Sequence, residues 1–216
     1  MSVISACDAD RSDEAAGAGT ERTAGDEVAA GPRESVPTPT PGQRCSDANA
    51  TATAGTVADD ATVTFGPING VKATTADGVP LVVVGTVYAQ DCEPLAGARL
   101  TMWQTDGAGD YGPGHGSDDM RCCYLGGDVE TDAAGRFQLI TVRPGHYRGE
   151  PNPPPAHIHV EVRHSDAPQW DTEIVFADDD RVPPNAESLG LVVTHPIRDG
   201  DGWRADAEIV MGGARG

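Results

Sequence analysis

The sequence predicts an all-β protein: an antiparallel β-sandwich with long functional loops and a disordered N-terminal tail. Three observations carry this expectation. Short runs of alternating apolar and polar residues recur from about residue 62 onward, broken by Gly and Pro turns. No stretch has the three-to-four-residue apolar spacing of an amphipathic helix, and there is no internal repeat. The first 60 residues are largely Ala, Gly, Thr, Asp, Glu and Pro, without one aromatic side chain. Such a stretch cannot bury enough apolar surface to offset chain entropy. The expected boundary therefore falls near residue 60, with 1–60 a flexible tether and 61–216 the sandwich domain.

The expected elements follow in order. Residues 62–65 alternate weakly. Residues 81–88, Leu-Val-Val-Val-Gly-Thr-Val-Tyr, form a β-branched strand. Asp91 to Gly97 is a turn, and 98–104 alternate again, with Leu100 and Met102 opposed to Thr101 and Trp103. A Gly/Asp-rich loop is expected over 105–128. Residues 131–135 make a turn into a strand at 136–141, where Phe137 and Leu139 share one side. Residues 157–163, 172–176, 189–194 and 205–211 complete the set. The loops at 105–128 and 144–156 are too long for hairpins, and long loops on a rigid sandwich tend to carry function.

The formal charge is −19. The first 60 residues hold 4 basic and 11 acidic side chains, and the remainder 11 and 23, so acidity is spread along the chain. That argues against nucleic acid and against an anionic membrane surface as partners. No stretch is long and apolar enough to span a bilayer.

Five cysteines, at 7, 45, 92, 122 and 123, include no Cys-x-x-Cys pair, which disfavours a zinc ribbon or a thioredoxin-like site. Ile4-Ser5-Ala6-Cys7 resembles the lipobox of bacterial lipoproteins, and about fifty polar residues behind it would serve as a tether. The expectation is export and lipid anchoring at Cys7, with a basic, apolar leader encoded upstream of Met1. In an oxidising compartment two disulfides are expected among Cys45, Cys92, Cys122 and Cys123. Adjacent cysteines rarely meet disulfide geometry, so Cys122 and Cys123 are each expected to pair with one of Cys45 and Cys92.

The most informative segment is Ala156-His157-Ile158-His159-Val160. Ile158, Val160 and Val162 alternate with His157, His159 and Glu161, which puts both imidazoles on one face of a strand. Two imidazoles about 7 Å apart along a strand can share one metal ion. A His-x-His pair alone is equally compatible with two surface histidines on a half-buried strand. A cupin site is excluded, because the downstream Glu, Gly and His pattern is missing.

The wider pattern resembles the intradiol ring-cleavage dioxygenases, the non-haem ferric enzymes that open catechols between the two hydroxyl carbons. The resemblance runs over about residues 80–180. It includes Gly85-Thr86-Val87, Pro94-Leu95-Ala96-Gly97-Ala98 and Trp103-Gln104-Thr105-Asp106-Gly107-Ala108-Gly109-Asp110-Tyr111. It continues through Thr131-Asp132, Gly135-Arg136-Phe137 and Thr141-Val142-Arg143-Pro144-Gly145-His146-Tyr147. It closes with Pro155-Ala156-His157-Ile158-His159-Val160 and Thr172-Glu173-Ile174-Val175-Phe176. Each fragment alone is weak; their order and spacing are specific.

The resemblance implies an Fe(III) cofactor held by Tyr111, Tyr147, His157 and His159. Phenolates are hard anionic donors that favour Fe(III), and two imidazoles complete a mixed set. It also implies that Tyr147, opposite His157, leaves the metal when the aromatic diol binds and helps to deprotonate it, while Tyr111 and His159 stay. O2 is the second substrate. Two positions depart from the family pattern. Pro154 stands where an arginine usually lies three residues before the first histidine, and Glu173 stands for a glutamine. Arg148, directly after Tyr147, is the candidate catalytic cation in the arginine's place, with Arg143 as the other. Tyr124 reads as a packing or substrate contact, and His115, His146, His164 and His195 as solvated or structural.

Two other functions compete. One is a metal-binding but catalytically altered relative, which Pro154 and Glu173 favour. The other is a non-enzymatic binding module of the transthyretin/immunoglobulin-like sandwich type, in which Pro-Gly-x-Tyr commonly closes the fold without metal. Tyr111 together with the His-x-His pair speaks against the second.

Overall fold

A computed structural model describes residues 44–48, 56–65, 78–111 and 125–212. Ten strands are described: β1 (Thr62–Thr64), β2 (Pro80–Tyr88), β3 (Arg99–Gln104), β4 (Gly126–Glu130) and β5 (Arg136–Val142). The others are β6 (His157–His164), β7 (Ala167–Phe176), β8 (Val192–Thr194), β9 (Ile197–Asp199) and β10 (Gly202–Val210). They form two five-stranded sheets, ordered β1-β5-β2-β10-β9 and β4-β3-β6-β7-β8. Among the described residues, helix is confined to one turn at Cys45–Ala48 and two short 3-10 turns.

The sandwich follows from alternation. Leu81, Val83 and Val87 of β2, Phe137 and Leu139 of β5, and Ala205 and Ile209 of β10 point inward from the first sheet. They meet Leu100 and Met102 of β3, Ile158, Val160 and Val162 of β6, and Ile174 and Phe176 of β7 from the second. All are buried, and burial of each large aliphatic or aromatic side chain is worth roughly 1.5–3 kcal/mol. The sandwich is as expected, but its sheets are mixed. β10 runs parallel to β2 from Trp203↔Leu81 to Val210↔Tyr88. β1 is parallel to β5 and β8 is parallel to β7. Side-chain alternation reports which face a residue occupies, not the direction of its neighbour, so this feature is invisible to periodicity.

β4 falls inside the stretch read as loop, because Gly126-Gly127 is a poor strand signal. β7 extends well before residue 172. Residues 44–48, within the stretch read as tether, are bound to the first sheet. Cys45 is disulfide-bonded to Cys92, with Cα atoms 5.1 Å apart. The backbone N–H groups of Cys45 and Ser46 donate to the Glu208 carboxylate on β10. This bond overturns the expected pairing of Cys45 and Cys92 with Cys122 and Cys123. Spatial proximity of the two Cα atoms decides it, and spacing in the sequence does not report that. Cys7, Cys122, Cys123, His115 and Tyr124 lie outside the described residues. Among the described residues, no helix is long and apolar enough to cross a membrane.

One buried side chain ties the core to the functional loops. Gln104, fully buried at the end of β3, donates from Nε2 to the carbonyls of Thr105 and Val142. Its Oε1 accepts from the Thr141 hydroxyl. A buried amide satisfied in this way fixes the exit of β3 against the end of β5.

Candidate metal centre

The site stands where two interlocked loops meet the outer face of β6. Asp106 organises the first loop. Its buried carboxylate accepts from the N–H groups of Ala108 and Asp110 at 2.9 and 3.0 Å. Its backbone carbonyl accepts from Gly109 and Gly145, and its backbone N–H donates to Asp110. The second loop carries Tyr147 and is laced to the first. Thr105 Oγ1 donates to the Gly145 carbonyl, and Arg148 N–H donates to the Gly109 carbonyl. The two glycines are required by this approach. A Cβ on Gly109, whose φ is +85°, would lie 1.8 Å from the His146 carbonyl oxygen; one on Gly145 would lie 2.5 Å from that of Gly107. The Arg148 guanidinium bonds the Asp110 carboxylate at 2.6 Å and clips the loops together from the solvent side.

β6 supplies the histidines. Its core-facing residues fix the strand, so His157 and His159 project together from the opposite face. His157 is buried, and its Nδ1–H donates to the Pro155 carbonyl at 2.6 Å. That bond leaves a lone pair on Nε2, aimed at the tyrosines. His159 lies between Trp103 of β3 and Glu173 of β7, its partners in the ladder. The indole stacks on the imidazole at 4.8 Å with 13° between planes.

Four donor atoms converge. Tyr147 Oη lies 2.7 Å from His157 Nε2 and 3.1 Å from His159 Nε2. Tyr111 Oη lies 3.0 Å from Tyr147 Oη and 3.0 Å from His159 Nε2. The two Nε2 atoms are 3.1 Å apart. Donors held at about 2.1 Å from one ion, at right angles, stand about 3 Å from each other. The spacing thus fits one shared cation. Glu173 Oε1 lies 3.7 Å from His159 Nδ1 and 4.0 Å from His157 Nε2, which adds a carboxylate to the cluster.

Both phenols of the cluster are shifted upward. Burial pushes the Tyr111 phenol far above its ordinary value, with Tyr147 and Glu173 pushing the same way. Burial raises Tyr147 as well; its hydrogen bond with Tyr111 opposes this, and Glu173 and Glu150 reinforce it. In this arrangement the two phenols and two imidazoles share hydrogen bonds with one another. A bound cation reverses the preference and favours phenolate.

The comparisons with known proteins bear on this arrangement. The family model Dioxygenase_C, described as "Dioxygenase", matches residues 59–195. The chain belongs to this dioxygenase family. The chlorocatechol 1,2-dioxygenase of Pseudomonas putida is 30% identical over 145 residues, 58% of this chain and 54% of its own. The protocatechuate 3,4-dioxygenase beta chain of Burkholderia cepacia is 33% identical over 100 residues, 44% of this chain and 43% of its own. The chain spans about half the length of these curated relatives. Among solved structures, 3-chlorocatechol 1,2-dioxygenase from Rhodococcus opacus shares the fold with a TM-score of 0.54 and 22% identity, covering 74% of this chain and 70% of that one. So does the dioxygenase domain of a carbohydrate-binding fusion from Streptomyces sp. SirexAA-E, with a TM-score of 0.52, 24% identity and coverage of 84% and 100%. The protein is intradiol ring-cleavage dioxygenase-like, as the resemblance implied.

Within this dioxygenase-like domain, Tyr111, Tyr147, His157 and His159 come together as the motifs imply. Arg148 is 67% exposed and paired with Asp110. Arg143 is committed elsewhere. It forks onto Asp178, and its guanidinium lies over the rings of Phe176 and Trp203 at 5.1 and 4.9 Å. His146 bonds Asp179 at 2.8 Å, a structural role. Sequence reasoning missed two neighbours of the site. Trp103 enters the sequence reading as one side of an alternating strand and as part of the Trp103–Tyr111 motif, and Glu173 as a departure from the family pattern, neither as a neighbour of His159. Their common signal is strand register, which puts both beside His159.

Proposed function

We propose that the protein is a non-haem Fe(III) intradiol dioxygenase that opens catechol-type rings with O2 and works outside the cytoplasm on a lipid anchor at Cys7. The observation that carries the catalytic reading is the convergence of Tyr111, Tyr147, His157 and His159 donor atoms at spacings of 2.7 to 3.1 Å. The donor set suits a ferric ion. Two phenolates are hard anions, whereas zinc more often takes cysteine or a third histidine. Ferric ion bound there would supply the Lewis acidity that draws in the diol as its dianion and lets it react with O2.

The chain's own residues account for the rest. His157 presents its Nε2 lone pair because Pro155 holds Nδ1–H. Trp103 fixes the plane of His159. Tyr147 is the proton acceptor, at Oη. Its surroundings, with burial and the Glu173 and Glu150 charges, would make a free phenolate at Tyr147 strongly basic. The overall reaction balances without another reductant: both atoms of O2 enter the product, and the cleaved ring carbons become two carboxyl groups.

The Cys45–Cys92 disulfide supports an oxidising compartment. Protein expressed with iron should be red-brown from tyrosinate-to-iron charge transfer, and should consume one O2 per catechol. Colourless protein that binds only zinc would end this reading. Pro154 and Glu173 favour a second reading, in which the metal is kept and ring opening is slowed or redirected. Catechol that shifts the colour without oxygen uptake would select it.

A further inference from the structure

The segments that carry Tyr147 and His157 both lead to one carboxylate outside the donor cluster. Asp179 stands on the turn after β7. Its N–H donates to the carbonyl of fully buried Phe176 at 2.9 Å, and its carbonyl accepts from the Val182 N–H at 3.1 Å. The turn is thus fixed from the core outward. The Asp179 side chain is only 5% exposed. Its Oδ2 accepts from His146 Nε2 at 2.8 Å and from the Ala156 N–H at 2.8 Å, and its Oδ1 accepts from the Arg181 N–H at 3.0 Å. The Arg181 guanidinium adds bonds to Asn152 Oδ1 and the Pro153 carbonyl, on the bend that leads into β6.

These partners matter by position. His146 directly precedes Tyr147, and Ala156 directly precedes His157. One oxygen atom therefore ties together the two segments whose donors, Tyr147 Oη and His157 Nε2, stand 2.7 Å apart. The Ala156 bond reaches further. The N–H of Ala156 and the carbonyl of Pro155 belong to one peptide group, and that carbonyl accepts from His157 Nδ1–H at 2.6 Å. A carboxylate on the N–H side of a peptide polarises it and makes its oxygen a stronger acceptor. The His157 ring is then held in one tautomer, and its Nε2 gains electron density. Burial works against charge on Asp179, but the N–H groups of Arg181 and Ala156, with the His146 ring, outweigh it and keep the carboxyl below its ordinary value.

We propose that Asp179 is a positioning residue of the metal centre, holding Tyr147 and His157 at ligand distance and strengthening His157 as a donor through the Pro155–Ala156 peptide. The inference rests on the reading of Tyr147 and His157 as ligands, and it holds whichever metal they bind.

The test uses the metal-free full chain with isotope-labelled histidine. Nuclear magnetic resonance should place the His157 ring proton on Nδ1, far downfield. Asp179→Asn keeps the size of the side chain and removes its charge, and it should move that proton upfield. Cobalt(II), followed by its visible bands, should bind this variant about 10- to 100-fold more weakly, the scale for losing a partner behind a metal-bound histidine. His146→Leu cuts only the tie to the Tyr147 segment, so cobalt affinity should fall while the His157 proton stays. Asp180→Asn, at an exposed position next in the chain, makes the same change in net charge and should alter neither readout. Either readout unchanged in folded Asp179→Asn would overturn the proposal. Should that variant not fold, a His157 proton on Nε2 in the parent, or parental cobalt affinity in His146→Leu, would overturn it instead. Protein that shows these differences with cobalt(II) yet never takes up iron would overturn the ferric reading and uphold this one.

Discussion

Glu173 and His159 face each other across the β6–β7 ladder, with the carboxylate Oε1 3.7 Å from His159 Nδ1, the ring nitrogen turned away from the tyrosines. Carboxylate beside the outer nitrogen of a ligating histidine is a recurrent way to orient the ring and raise its basicity. Here the resemblance implies a glutamine, and the carboxylate in its place would bring negative charge to a centre already carrying two phenolates.

That relationship predicts the behaviour of Glu173→Gln. Loss of the charge makes the ferric ion a better electron acceptor. The charge-transfer band should therefore move to longer wavelength and the reduction potential should rise. Absorption spectra and a redox titration of the iron-loaded variant check this. A band that does not move would show that Glu173 has no electrical contact with the centre.

The raised phenols predict a pH dependence of the metal-free protein. Folded Tyr111 and Tyr147 hold their protons above the ordinary value of 10.0, whereas in the unfolded chain they release them near it. Their contribution to stability is whole below about pH 10 and is lost as pH rises from there through the raised folded values. Iron removes the effect, because the phenolates are then already formed. Thermal unfolding from pH 8 to 11 should show Tm falling in the metal-free protein and holding in the iron-loaded one.

Gly109→Ala tests the interlocking of the loops. The added methyl would meet the His146 carbonyl oxygen at 1.8 Å, and the backbone sits at φ +85°. Tyr111 and Tyr147 must then separate, since Gly109 and His146 lie next to the segments that carry them. Iron occupancy and colour should fall at least tenfold, while far-ultraviolet circular dichroism keeps its β signature. Colour equal to the parent would mean that the loops accommodate the methyl without moving the tyrosines.

The Cys45–Cys92 bond makes a separate claim on stability. It joins positions 47 apart in sequence, and constraining such a loop in the unfolded chain is worth about 4 kcal/mol by the entropy model. The double variant Cys45→Ser, Cys92→Ser should lose much of that in chemical denaturation. Its iron spectrum should match the parent's, because the bond lies on the other sheet, against Tyr88 and β10.

Much of the site is legible in the sequence because it is carried by local rules. Alternation sets His157 and His159 on one face, and the Gly-rich Tyr111 and Pro-Gly-His-Tyr147 segments mark loops that need close backbone approach. What stays hidden is long-range pairing. The parallel union of β2 and β10, the Cys45–Cys92 bond, and the placement of Glu173 beside His159 each depend on which segments meet in space. β4 was hidden for a local reason, since Gly126-Gly127 carries no apolar signal.

Arg148 decides whether the chain has replaced the family's arginine. Its guanidinium is bound to Asp110, between the residues that precede Tyr111 and follow Tyr147. An exposed pair of this kind adds at most about 1 kcal/mol to stability, so a purely structural role predicts small and similar effects of Arg148→Ala and Asp110→Asn. A charge-stabilising role predicts something different. Arg148→Ala should then lower kcat for catechol by roughly 10²-fold, the scale for losing one preorganised charge partner, while colour and iron content survive. Asp110→Asn should leave kcat within a few-fold, because it removes the anchor and keeps the cation. Equal and small losses in both variants would reduce Arg148 to a clip between two loops. Pro154 would then mark a ring-opening site that works without its usual cation, or one that has lost the step.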